Sequence, residues 1–195
     1  MKQYTYIVLN KPFNVISQFS PEGDKKTLAD YLKIAKDIYP IGRLDYDSEG
    51  LLLLTNDNQL KARLIDPKFN HEREYIVFAD GKPCTDAKSM FSRGIKFSDY
   101  TSKPAKIEII NNPVWLWERV PPPRTYDTHE YSWLKIVLTE GKNRQVRKMT
   151  AAVGCPTLRL VRTRILNIKL GKLNPGEFRK LTDTELRELI SLISK

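Results

Sequence analysis

Four consecutive leucines, Leu51 to Leu54, most narrow what this chain can fold into. The run is too short for a helix of its own and leaves no polar alternate residue to face water. Bounded by Gly50 on one side and Asn56-Asp57 on the other, it reads as a strand buried on both faces. Such a strand needs core above and below it, and 195 residues are enough for one sizeable core. Immediately before it, Gly42-Arg43-Leu44-Asp45-Tyr46-Asp47-Ser48-Glu49-Gly50 forms a loop that presents an arginine and a carboxylate two residues apart. A loop pinned to a buried strand holds its side chains still, as a catalytic group requires. Arg43 and Asp45 are therefore the first functional candidates, against the plainer reading of a surface turn with solvated side chains.

Around this centre the chain alternates strand and helix signals. Thr5 to Leu9 is strand-forming and runs into Asn10-Lys11-Pro12, where Lys11 is either an RNA contact or a solvated loop lysine. Thr27 opens a short amphipathic helix with Leu28, Tyr31, Leu32 and Ala35 at helical spacing. Asn56 or Asp57 caps a second helix carrying Leu60, Leu64 and Ile65, stopped by Asp66-Pro67. Glu74 to Ala79 and Ala105 to Ile110 read as strands, with a helix over Asp86 to Arg93 between them. Tyr75, inside the first of these strands, reads on its own as core filling. Residues 111–132, with Pro121-Pro122-Pro123, form an irregular insert before the strand Trp133 to Leu138. Trp115 and Trp117 fall on one strand face and are expected to pack the core. Asn143 is expected to cap a helix from Arg144 to Val153, and Thr182 with Glu185 forms a capping box for a terminal amphipathic helix.

The net charge is +10, and it is concentrated. From Glu140 to Lys172 there are nine Lys or Arg against one acid, a net +8. This points to a polyanion, nucleic acid before membrane. Arg144, Arg147 and Lys148 share one helix face, and Arg159, Arg162 and Arg164 alternate with apolar residues on a strand expected to have a charged side and a buried side. Two cysteines, Cys84 and Cys155, and two distant histidines, His71 and His129, offer neither a disulfide framework nor a metal ligand set. No signal-like or membrane-spanning run is present, so the expectation is a cytoplasmic, soluble protein.

Gly42-Arg43-Leu44-Asp45 followed by Ser48-Glu49-Gly50-Leu51-Leu52-Leu53-Leu54-Thr55-Asn56 resembles the signature of the bacterial ribosomal RNA pseudouridine synthases of the Rsu type. Leu9-Asn10-Lys11-Pro12, Arg73-Glu74-Tyr75 and Glu140 to Met149 resemble further motifs of that family, in the same order. The proline-rich insert and Gly154-Cys155-Pro156-Thr157-Leu158-Arg159-Leu160 are most similar to the branch acting on large-subunit (23S) rRNA, the pseudouridine synthase E type. The resemblance implies an α+β fold: a bent, mostly antiparallel mixed sheet with flanking helices and a central cleft between two lobes. It implies one catalytic domain over residues 1–195, without an N-terminal S4-type RNA-binding domain, working as a monomer and without a cofactor or metal. Family members often carry Gly where this sequence has Asn58 and Leu166.

By the same resemblance Asp45 is the nucleophile, Arg147 its ion-pair partner, and Tyr75 the ring that lines the catalytic pocket and stacks on uracil. Ile165 forms the apolar floor, and Arg43 fills the space vacated by the flipped base. Arg144, Lys148, Arg159 and Arg162, in the basic segment, are expected to hold RNA phosphates, and Lys11 is carried as an RNA-binding candidate. The substrate implied is large-subunit rRNA, free or in an assembling particle. The alternative from another class is a non-catalytic rRNA-binding or ribosome-assembly protein on the same fold; an Asp45, Tyr75 and Arg147 set favours the enzyme, since phosphate binding alone has no use for a buried aspartate. A third reading, Asp45-x-Asp47 as a metal-binding pair, lacks a further acid or histidine cluster.

Overall fold

A computed structural model describes residues 4–194. In chain order the strands are β1 (Tyr6–Lys11), β2 (Val15–Ile16), β3 (Lys26–Thr27), β4 (Tyr39–Pro40), β5 (Glu49–Thr55), β6 (Arg73–Asp80), β7 (Lys106–Ile110), β8 (Tyr131–Leu138), β9 (Thr157–Ile165), β10 (Ile168–Lys169) and β11 (Phe178–Lys180). The helices are α1 (Asn58–Ile65), α2 (Ala87–Arg93), α3 (Gln145–Ala152) and α4 (Asp183–Ile193). The chain divides into two compact units, one running up to His71 and resuming at Arg162, the other spanning Glu72–Val161. Strand β9 carries the chain from the second back into the first. The result is an α+β fold with a mixed, mostly antiparallel sheet and flanking helices.

In the first unit β1 lies between β11 and β5, antiparallel to both. All seven residues of β5 are buried, as a leucine run without a polar alternate demands. Leu52 and Leu54 join Ile7 and Leu9, with which they are in register, in a cluster completed by Val15, Leu28, Leu32 and Ile38. Leu51 and Leu53 are equally buried on the opposite face. Asp57, not Asn56, caps α1, accepting from the amides of Gln59 and Leu60. Asn56 instead accepts from the Thr5 amide and donates to Asp37. Of the three apolar residues expected to pack from α1, Leu60 and Leu64 do so and Ile65 stays exposed. The helix expected from Thr27 is only a 3-10 turn, Leu28–Asp30, closed by a Thr27–Asp30 capping box. Ile34 rather than Ala35 packs on the core here, which breaks the helical period. The capping box of α4 forms as the sequence implies, with Glu185 also held at two oxygens by Arg179.

The second unit is built on β8, which pairs along its length with β6 and on its other edge with β7, both antiparallel. Here burial alternates strictly: Ser132, Leu134, Ile136 and Leu138 point inward. The outward row carries Trp133 and Tyr131, both packed on Phe78, and Lys135 paired with Glu108 directly across the sheet at 2.6 Å. Gly94 is required between α2 and β7. Its φ is +85°, and a Cβ there would stand 2.2 Å from the Ser102 carbonyl oxygen.

Residues 111–130 form no strand, so the expected shared strand face of Trp115 and Trp117 does not exist. Trp115 is 58% exposed, while Trp117 is half-buried beneath the Arg159 guanidinium, 5.4 Å from the ring centre. The insert is held to β9 by two arginines, Arg119 donating to the Leu158 carbonyl and Arg159 to that of Trp117. Asn143 does not cap α3. Arg144 occupies that position with φ +49°, and the Gln145 side chain reaches back to accept from the Lys142 amide while donating to buried Glu140. Glu140 also accepts from the Lys103 amide. A buried carboxylate thus organises the turn in place of a helix cap.

Candidate active site

Asp45 sits between β4 and β5 on a tight turn, the Ser48 amide donating to the Asp45 carbonyl at 3.1 Å. The loop is fixed at both ends. Ile41 donates its amide to Leu53, and Gly42 turns the chain at φ +70°. Leu44, between the two candidates, is buried and clamped at both backbone groups by Ser17, whose Oγ donates to the carbonyl at 2.7 Å and accepts from the amide at 3.0 Å. The clamp spans 27 residues of sequence and has no local signal, so sequence reasoning missed it. Asp45 is half-buried and Arg43 exposed.

Lys11 is neither a surface contact nor a solvated loop residue. It is the last residue of β1, opposite Gly50, and its side chain is wholly buried. Its Nζ donates to the carbonyls of Pro12 at 2.8 Å and Val15 at 2.7 Å. Burial pushes the ammonium down to about 7, against the opposing pull of Glu49, Asp47 and Asp45 and with the push of Arg162. Lys11 is therefore not at the surface, where an RNA phosphate would meet it, and lies within electrostatic reach of Glu49, Asp47 and Asp45. Ser48, 1% exposed, leaves its Oγ without a hydrogen-bond partner.

Tyr75 and Arg147 belong to the second unit. Tyr75 is 7% exposed in β6, opposite Ile136. Arg147 is half-buried on α3, its Nη1 donating to the Thr157 carbonyl at 3.2 Å. The apolar side of α3 is as the periodicity implies, with Val146, Met149 and Val153 buried. Lys148 and Arg144 are exposed, and the Nζ atoms of Lys142 and Lys148 lie 4.3 and 5.6 Å from the centre of the Tyr100 ring.

The strand arginines do not form the expected charged side. Arg159 and Arg162 are each 5% exposed. Arg159 is spent on Trp117, and Arg162 Nε donates to the Leu51 carbonyl at 2.8 Å. Both are internal struts: three residues apart on one strand, they point to opposite faces of β9, and both faces are covered there. Ile165 is buried at the end of β9 and pairs with Ile168 across a turn in which Leu166 takes φ +50°. Asn58 is the first residue of α1. Among the described residues no group of three His, Cys, Asp or Glu is placed to hold a metal ion, and no helix is long and apolar enough to cross a membrane.

Along most of its length the chain is similar to known proteins. The sequence model of the RNA pseudouridylate synthases matches residues 5–152. The ribosomal large subunit pseudouridine synthase E of Vibrio parahaemolyticus is 46% identical over 175 residues, 90% of this chain and 73% of that protein. The protein of the same name from Xanthomonas campestris pv. campestris is 44% identical over 175 residues, covering 89% of this chain and 93% of its own. A crystal structure of a pseudouridylate synthase, 28% identical, aligns with a TM-score of 0.79 over 97% of this chain and 75% of that one. The chain belongs to the RNA pseudouridylate synthase family.

Proposed function

We propose that this enzyme isomerises a specific uridine of large-subunit rRNA to pseudouridine, with Asp45 as nucleophile, and that it acts as a monomer on RNA that is free or already part of an assembling particle. The reaction breaks the bond between ribose C1′ and N1, turns the uracil and rejoins it through C5. The proton lost at C5 balances the one gained at N1, so nothing enters or leaves. What the protein must supply is an ionised carboxylate, a dry grip on the free base and a route for one proton.

The observation that carries this reading is the immobilisation of the Asp45 turn, clamped by Ser17 and within electrostatic reach of a buried lysine. A surface loop used only for phosphate binding needs neither. In the mechanism Arg147 pairs with Asp45 and keeps it ionised, and Tyr75 lies against the uracil face. Ile165 gives the apolar floor. Arg43, exposed beside the turn, occupies the place of the extruded base. The large-subunit assignment draws on the relatives named above.

Asp45→Asn tests it. The variant should bind rRNA as the parent does and form no pseudouridine in a large-subunit transcript, read by mass spectrometry of the digested RNA. Conversion at the parental rate would remove Asp45 from the chemistry.

A further inference from the structure

Beside the Asp45 turn the first unit holds a cavity of about 490 Å³ that the proposed chemistry touches only at Arg43, on its wall. Its volume lies in the range of sites that take a single small ligand. Its walls combine the rings of Phe19 and Tyr39, the side chain of Ile65, and two cations, Arg43 and Lys61; no carboxylate lines it. Tyr39 is 52% and Ile65 43% exposed, so the apolar wall is uncovered. Ile65 belongs to the apolar pattern of α1, yet it faces this space while Leu60 and Leu64 enter the core. Lys61 stands over the Tyr39 ring, its Nζ 5.7 Å from the centre. Ser17, which clamps Leu44, is also part of the wall, so the cavity and the Asp45 turn share one rigid support.

Aromatic surface, cations and the lack of acids together are the chemistry that holds single-stranded nucleic acid: bases stack and phosphates meet positive charge. Arg43 and Asp45 are two residues apart, a reach of at most about 7 Å along the chain. One sugar–phosphate step from a uridine at Asp45 covers that distance. We propose that the cavity takes one unstacked nucleotide of the RNA strand next to the target uridine, its base against Tyr39 and Phe19 and its phosphate at Lys61. This rests on the synthase reading and deepens it: part of the choice of target is made by the strand's ability to unstack a neighbour as well as the uridine.

The test uses the full chain and an RNA fragment spanning the uridine that it converts in a large-subunit transcript. Single abasic nucleotides are placed at each of three positions on either side. Affinity is read by fluorescence anisotropy with Asp45→Asn, and single-turnover rates with Asp45 intact. At one flanking position the abasic substitution should weaken binding about tenfold. Tyr39→Ala with Lys61→Ala should weaken intact RNA by a similar factor and become indifferent to that abasic site. Tyr39→Phe should keep the discrimination, and saturating rates should stay within about threefold. Equal sensitivity of parent and variant at every position, with normal conversion, would overturn the pocket alone. Conversion of no uridine by the parent would overturn the synthase reading and the pocket with it.

Discussion

Two stretches of the basic segment look alike as sequence and behave oppositely in the fold. At the entry to α3, Lys142, Arg144 and Lys148 are exposed, two of them resting on the Tyr100 ring. In β9, Arg159 and Arg162 are almost completely buried and hydrogen-bond to backbone carbonyls. The first group leaves its charge at the surface, and the second holds it inside. Concentration of charge along a sequence therefore overstates the charge available to RNA, because an arginine's five donors can serve irregular backbone as well as phosphate. The insert explains part of the difference. Residues 111–130 have few ladder bonds of their own, and Arg119 and Arg159 bind them to β9.

The sharpest way to break this contrast is Arg162→Ala. It removes the donor to Leu51 on the doubly buried strand and leaves a void, and should cost about 3–5 kcal/mol of stability in urea unfolding. A loss below about 0.5 kcal/mol, as a solvated side chain would give, would put Arg162 back among the surface cations.

Lys11 extends the comparison to an internal cation that titrates. Its folded value is near 7 and its ordinary value 10.5. Between the two, the unfolded chain carries a proton that the folded chain has released. Stability therefore rises with pH across that interval and is lowest, and flat with respect to this group, below about 7. Lys11→Met should remove the slope, so the parent should gain about 2–4 kcal/mol on the variant between pH 6.5 and 9.5. Parallel stability curves for the two proteins would show the ammonium to be as well solvated as on the surface.

These internal cations also mark where the sequence was legible. The leucine strand, the β6 and β8 strands, the Thr182 capping box and the Asp45 loop follow from local pattern, since periodicity and turn chemistry are settled within a few residues. The Ser17–Leu44 clamp and the Arg162–Leu51 bond join residues 27 and 111 positions apart. Nothing local announces them. Asn143 failed as a cap because Gln145 and Glu140 supply the bonds instead, and the helix at Thr27 stopped because Ile34 was drawn into the core. Tertiary packing overrode propensity in both cases.

The remaining consequence is the mildest and falls on the exposed group. If Lys142, Arg144 and Lys148 meet phosphates, replacing each by Gln should lower rRNA affinity a few-fold and reduce the slope of log affinity against log salt by about 0.7–0.9 per residue. The loss should be the same for unrelated RNA, since a phosphate carries no sequence. Arg159→Gln should leave that slope unchanged while loosening the insert, seen as faster amide exchange at Trp117 and its neighbours. The pairing of slope with surface and exchange with interior is the discriminating result. A reduced slope for Arg159→Gln with unaltered exchange would mean that its guanidinium leaves Trp117 for the RNA, and the division between spent and available charge would then hold only for the free protein.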